Sequence, residues 1–167
     1  MLRMVHALKF GGQRALAPYL GERLAKQVLK AGWEADCVTF VPASTVKLKG
    51  RGFDQAELLA RSASEHLGIE CRALLTRSQP GAARGSQAAL GRSARSLNAA
   101  GAFTASGARR LRVLLVDDVM TSGATLTACR TELLSAGARQ VTAAVVARTV
   151  RSESDLLEND DHSDQDP

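Results

Sequence analysis

Val113-Leu114-Leu115-Val116-Asp117-Asp118-Val119-Met120-Thr121-Ser122-Gly123-Ala124-Thr125 is the stretch that decides how this chain folds. Four apolar residues in a row, Val113 to Val116, have the composition of a strand covered on both faces. Asp117 and Asp118 follow at once, where such a strand reaches the carboxyl edge of its sheet. The small, hydroxyl-rich Thr121-Ser122-Gly123-Ala124-Thr125 then opens a helix. The spacing of Leu126, Cys129, Leu133 and Leu134 extends it from Ala124 to Ala136, and Gly137 stops it. The first N–H groups of that helix point outward and carry its positive dipole end. A phosphate fits there, with hydroxyls from Thr121, Ser122 and Thr125 as further donors. Gly123 permits close backbone approach and a turn that other residues resist.

Two carboxylates beside a phosphate cradle would repel the phosphate if they faced it. They fit when they accept hydrogen bonds from neighbouring hydroxyls, as on a ribose ring, so the run suits a ribose 5-phosphate. Acids this close to a phosphate also point to a divalent cation on Asp117 and Asp118, magnesium sharing its oxygen ligands with the substrate. Taken singly, each residue has an ordinary explanation: Asp117 ends a strand, Asp118 begins a turn, Thr121 caps a helix. The whole run in this order does not. No GxxxxGK[ST] loop and no GxGxxG fingerprint occurs, which weighs against nucleotide-triphosphatase and dinucleotide readings.

Outward from this run the pattern alternates. Leu16, Leu20, Leu24 and Val28, with charges between them, predict an amphipathic helix from about Gln13 to Ala31, stopped at Gly32. Cys37 to Val41, ending at Pro42, reads as a buried strand, and the basic, Gly-punctuated Lys47 to Gly52 as a loop. Ala56, Leu59, Ala60, Ala63 and Leu67 predict a second helix, N-capped by Asp54 and ended by Gly68. Ile69 to Leu75 is compatible with a strand, and Val141 to Ala147 closes the pattern as another. Thr76 to Ala102, rich in Ser, Gly, Ala and Arg, has the length and composition of a functional or mobile loop. The order is α/β: a doubly wound, mostly parallel sheet with helices on both faces and a long flexible loop. Ligands of such sheets bind beyond the carboxyl ends of the strands, here after Val41, Leu75 and Val116.

The totals bound the rest. The 167 residues, 45% hydrophobic, suffice for one domain, expected over residues 1–151. Seven of the 17 acids lie between Glu153 and Asp166, which leaves a basic body with all 22 Lys and Arg against ten acids. Such a body attracts phosphate-bearing ligands, and residues 152–167 read as an acidic, disordered tail. Cys37, Cys71 and Cys129 are too scattered for a metal knuckle or a disulfide framework, and fit buried thiols of a reducing cytoplasm. No apolar run approaches the roughly 18 residues of a membrane span. The first nine residues hold no secretion signal, so the expected location is the cytoplasm.

Val113 to Thr125 resembles the diphosphate-sugar signature of the type I phosphoribosyltransferases. More narrowly, the chain resembles the ComF family, associated in bacteria with competence for DNA uptake. The narrower match rests on three further segments: Lys9-Phe10-Gly11-Gly12 before the first helix; Val41-Pro42 and Arg51-Gly52-Phe53-Asp54-Gln55-Ala56 with Leu58-Leu59-Ala60; and the spacing of Gln87, Leu90, Arg92, Arg95, Asn98, Ala102 and Phe103. Asp54 departs from it, since family members usually have Asn there. Members often begin with a cysteine-rich zinc-binding module that this sequence lacks. The sequence leaves open whether the module is naturally absent or lost to a late start codon.

The resemblance implies a substrate, 5-phosphoribosyl-1-diphosphate, bound with Mg2+ by Asp117, Asp118, Thr121, Ser122, Gly123, Ala124 and Thr125. It implies transfer of ribose 5-phosphate to a nitrogen acceptor that no motif names. Arg51, Arg92 and Arg95 are the candidates to stabilise the departing diphosphate, ahead of Lys47, Lys49 and Arg84, with Thr76 to Ala102 closing over the site. Asn98 and Phe103 would anchor that loop's return. The competing reading keeps the sugar-diphosphate pocket without catalysis, in regulation or alongside DNA-uptake machinery. Nucleic-acid binding by the basic body is the third, disfavoured by 4% aromatics and the lack of a DNA-binding motif. Homodimers are common among the proteins resembled.

Overall fold

A computed structural model describes residues 14–78 and 102–149. The elements are α1 (Leu16–Lys30), β1 (Cys37–Phe40), α2 (Thr45–Arg51), α3 (Gln55–Leu67), β2 (Glu70–Cys71), β3 (Leu75–Arg77), β4 (Phe103–Ala105), β5 (Arg112–Met120), α4 (Ala124–Ser135) and β6 (Gln140–Arg148). Four strands form a parallel sheet in the order β2-β1-β5-β6, and β3 and β4 form a separate antiparallel pair.

The alternation of β5 explains the layers. Leu114 and Val116 face the cluster that holds Leu20 and Leu24 of α1 and Leu59 and Ala63 of α3. Val113 and Leu115 face the opposite cluster, with Leu126, Cys129 and Leu133 of α4 and with Leu75 and Phe103 of the β3–β4 pair. The apolar run from Val113 to Val116 is therefore covered on both sides, as its composition predicts. Helices α1 and α3 approach closely at Gly21. A Cβ there would meet Ser62 Oγ at 2.4 Å and the Ala63 backbone nitrogen at 2.9 Å. Glycine is required by this contact, in which the Ser62 hydroxyl donates to the Pro18 carbonyl at 3.2 Å.

Several expectations change in the structure. Lys47 to Gly52 is not a loop: residues 45–51 form α2, whose N-cap Ser44 accepts from the Lys47 N–H, and the Gly52 N–H donates to the Leu48 carbonyl. The single strand expected over Ile69 to Leu75 divides, residues 70–71 joining the main sheet and residues 75–77 pairing with β4. Thr76 and Arg77 thus belong to a strand rather than to the long loop. Its other flank returns beside them, since the Ser78 N–H donates to the Ala102 carbonyl at 2.9 Å. Residues 79–101, the opening segment at Lys9 to Gly12 and the tail from 152 lie outside the described residues.

At the amino edge of the sheet, Arg112 holds β1 against β5. Its backbone N–H donates to Asp36 Oδ2 at 2.7 Å, and its guanidinium donates to Asp36 Oδ1 through Nε at 3.1 Å and Nη2 at 2.6 Å. The guanidinium also pairs with Glu34. These hydrogen bonds hold the Asp36 carboxyl down at about 2, below its ordinary 3.8. Folding thus favours the ionised form, and the stability it contributes is present above pH 3.8 and lost as pH falls towards about 2. Urea unfolding across this range should show a shallower acid loss for Asp36→Asn than for the native chain. Parallel acid curves would mean that the Asp36–Arg112 contact does not act on folding.

Candidate functional site

The site forms because β1 and β5 stop pairing at different points. Their parallel ladder ends at Phe40 opposite Val116, and the Val41 N–H donates to the Val116 carbonyl at 3.0 Å. Pro42 then leads the chain away, while β5 runs on to Met120 against β6, with Asp117 opposite Val145 and Val119 opposite Ala147. Asp117 and Asp118 therefore lie within β5, not after it as expected. They sit in its overhang past the end of β1. The strand order also reverses at this point, with β2 on one side of β1 and β5 on the other, so the opening lies at the topological switch point.

A cleft of about 230 Å³ occupies this position, lined by the chain leaving β1 at Val41 to Ala43 and by residues of three further groups. From β5 and the loop into α4 come Asp117, Asp118, Thr121 and Thr125. From α2 and the start of α3 come Lys47, Arg51, Asp54 and Gln55, and from β3 comes Arg77. The structure thus brings Arg51 to the same cleft as the acids, although the sequence separates them widely. Ser122, Gly123 and Ala124 are not in its lining. The Ser122 hydroxyl accepts from the Ala124 N–H at 3.4 Å, an internal turn at the head of α4. Gly123 is the N-cap residue, with φ +77°, a conformation that L side chains rarely adopt. Lys49 is exposed and outside the lining, and Arg84, Arg92, Arg95 and Asn98 lie beyond the described residues.

Both carboxylates of the overhang hold the backbone that follows them. Asp117 Oδ1 accepts the Asp118 N–H at 2.8 Å, and Asp118 Oδ1 accepts the Val119 N–H at 2.7 Å. Among the described residues no cluster of three or more His, Cys, Asp or Glu could hold a metal ion alone. Two adjacent carboxylates do fit a hard divalent cation whose shell is completed by oxygens of a bound phosphate and by water. Beneath them, burial pushes the Cys129 thiol up to about 12, with the Asp117 charge adding to the rise, so it stays a neutral thiol. Burial likewise raises Cys37 and Cys71.

Asp54 fixes the opposite wall. Its Oδ1 accepts from the N–H groups of Ala56 and Glu57, capping α3 as expected, and its Oδ2 accepts from the Ala43 N–H at 2.7 Å. One carboxylate therefore ties the chain leaving β1 to the head of α3. Burial raises its carboxyl above the ordinary aspartate value, and the three N–H donors oppose that rise. Two cleft residues escaped the sequence reading. Arg77 is held by the Pro42 carbonyl, which accepts from Nε at 3.2 Å, and by the Phe103 ring 4.6 Å below its guanidinium. Gln55 accepts from Arg51 Nη1 at 2.7 Å. Phe103 itself is buried in the core, as expected of the residue anchoring the loop's return.

Residues 56–166 match the family model described as the phosphoribosyl transferase domain. The chain belongs to the phosphoribosyl transferase family. Among solved structures it is similar to the glutamine phosphoribosylpyrophosphate (PRPP) amidotransferase from B. subtilis complexed with ADP and GMP. The two are 24% identical with a TM-score of 0.55, over 80% of this chain and 26% of that one. An allosteric regulatory enzyme of purine biosynthesis gives 24%, 0.53 and the same coverage. A hypothetical protein from Neisseria gonorrhoeae with bound ppGpp gives 18% and 0.51, over 81% of this chain and 69% of that one. At these identities the likeness shows the fold, and the chain spans about a quarter of the length of the first two. No curated protein matches at a significant level. No described helix of this phosphoribosyl transferase family member is long and apolar enough to cross a membrane.

Asp54→Asn tests the wall. Asparagine still caps a helix, but it offers a single acceptor oxygen, so the Ala43 N–H or the head of α3 loses its partner. Denaturant unfolding should show a loss of roughly 1–3 kcal/mol. Unchanged stability would mean that the tie between Ala43 and α3 contributes nothing.

Proposed function

We propose that this chain binds 5-phosphoribosyl-1-diphosphate in the cleft between the ends of β1 and β5 and transfers its ribose 5-phosphate to a nitrogen acceptor. The observation that supports this most is the division of the lining. The β5–α4 side offers Asp117, Asp118, Thr121 and Thr125, which are acceptors and hydroxyls suited to a sugar and its 5-phosphate. The α2–α3 side and β3 offer Lys47, Arg51 and Arg77, cations suited to a diphosphate. A ligand with a phosphorylated ribose at one end and a diphosphate at the other matches both.

In this reading the acceptor nitrogen forms a bond to the anomeric carbon and gives up a proton. Diphosphate leaves with the electrons of the broken C–O bond. Asp117 and Asp118 hold the ribose hydroxyls, and the same carboxylates would hold Mg2+, which would supply charge neutralisation of the leaving group. The α4 amino terminus and the hydroxyls of Thr121 and Thr125 hold the 5-phosphate. Arg51, placed by Gln55, and Arg77, placed by Pro42 and Phe103, meet the negative charge that grows on the diphosphate. Arg92 and Arg95 enter this proposal from the sequence alone.

Within the family we place the chain with ComF-like members. The Arg51 to Ala56 block that carries the resemblance lines this cleft, apart from Gly52. A role beside DNA-uptake machinery, a cytoplasmic location, a homodimer and a single domain over residues 1–151 belong to the same proposal.

Calorimetric titration with 5-phosphoribosyl-1-diphosphate should show binding that strengthens with magnesium. Asp117→Asn combined with Asp118→Asn should weaken it roughly 10-fold or more, two charge-assisted hydrogen bonds being lost, with unfolding still cooperative. Unchanged affinity in the double variant would sink the ribose assignment. Diphosphate release on adding an acceptor distinguishes turnover from binding alone.

A further inference from the structure

Gln55 is the first residue of α3, only 5% exposed, and it lines the cleft. Arg51 settles which way its amide points. A guanidinium only donates, so the atom that receives Arg51 Nη1 at 2.7 Å is the carbonyl oxygen Oε1. The amide nitrogen Nε2 is thereby turned away from Arg51. It is buried, and it has no hydrogen-bond acceptor among the described residues. Leaving such a donor unmet costs about 1–3 kcal/mol, and folded chains keep few of them. Every other buried side-chain polar atom of the described residues has a partner, including those of the neighbouring Asp54.

An amide suits this position better than a carboxylate. A glutamate would accept from Arg51 equally well, but it would neutralise that guanidinium and set a second carboxylate beside Asp54. The amide holds Arg51 through Oε1 without adding a charge of its own. Gln55 stands on the cationic side of the cleft, with Lys47 and Arg51, across from the acids and hydroxyls of β5 and α4.

We propose that Gln55 is a substrate-binding residue that recognises the diphosphate. Nε2 donates to a diphosphate oxygen while Oε1 holds Arg51 turned towards the same anion. This rests on the reading of the cleft as a sugar-diphosphate site. It adds that the diphosphate end is distinguished by a neutral donor as well as by cations.

The test is calorimetry with three probes, namely ribose 5-phosphate, inorganic diphosphate with magnesium, and 5-phosphoribosyl-1-diphosphate with magnesium, on the full chain and on Gln55→Glu. The variant is isosteric and should leave ribose 5-phosphate affinity unchanged. It should weaken diphosphate and 5-phosphoribosyl-1-diphosphate roughly 10- to 100-fold, the range for a lost hydrogen bond to a charged group. Gln55→Met, which removes both polar atoms without adding charge, should give the same split if Gln55→Glu does not fold. Undiminished diphosphate affinity in a folded variant overturns the inference and leaves the cleft reading standing. So does an equal loss for all three probes, which marks Gln55 as purely structural. A native chain that binds none of the three overturns the cleft reading, and this inference with it.

Discussion

Everything at the site depends on where β1 and β5 part. As far as Phe40 and Val116 they are joined by a parallel ladder with apolar side chains on both faces. Two residues later, at Pro42, the chain has left the sheet, whereas β5 continues against β6. Had β1 run two residues further, its backbone would cover the edge where Asp117 and Asp118 now stand. The strand is held rigid from below by two buried layers. Its overhang can therefore present carboxylates without ordering them at the moment of binding.

The opposite wall is built by a different device. Its helix α2 buries none of its residues. Asp54 compensates by accepting three backbone N–H groups, two from α3 and one from Ala43. That tie fixes α3, and Gln55 at its head then fixes Arg51. Arg77 reaches the cleft from the β3–β4 pair, its charge lying on the Phe103 ring and its Nε on the Pro42 carbonyl. The rigid side brings carboxylates and hydroxyls to the cleft, and the tied side and β3 bring three cations, the Asp54 carboxylate there being taken up by backbone N–H groups.

Much of this was legible in the sequence, for identifiable reasons. The apolar run of β5, the four-residue spacing in α1 and the cap residues Asp54 and Gly68 are local signals, and each element appears within a few residues of its expected bounds. The composition of Thr45 to Arg51 gave no hint of α2, because a helix that buries none of its residues has no apolar stripe. Its ends are set by the Ser44 side chain and by Gly52. The acids of β5 read as a strand end because aspartate disfavours strands, yet pairing with β6 overrides that preference. Arg77 and Gln55 could not be assigned from the sequence. Their positions are set by partners, Pro42, Phe103 and Arg51, that no periodicity relates to them.

The most direct test of the account is a crystal structure of the chain with 5-phosphoribosyl-1-diphosphate and magnesium. The account predicts the 5-phosphate against Thr121 and Thr125 at the head of α4, and the ribose hydroxyls on Asp117 and Asp118. It places the diphosphate between Arg51, Gln55 and Arg77. A ligand bound with its diphosphate at α4, or outside the opening between β1 and β5, would contradict it.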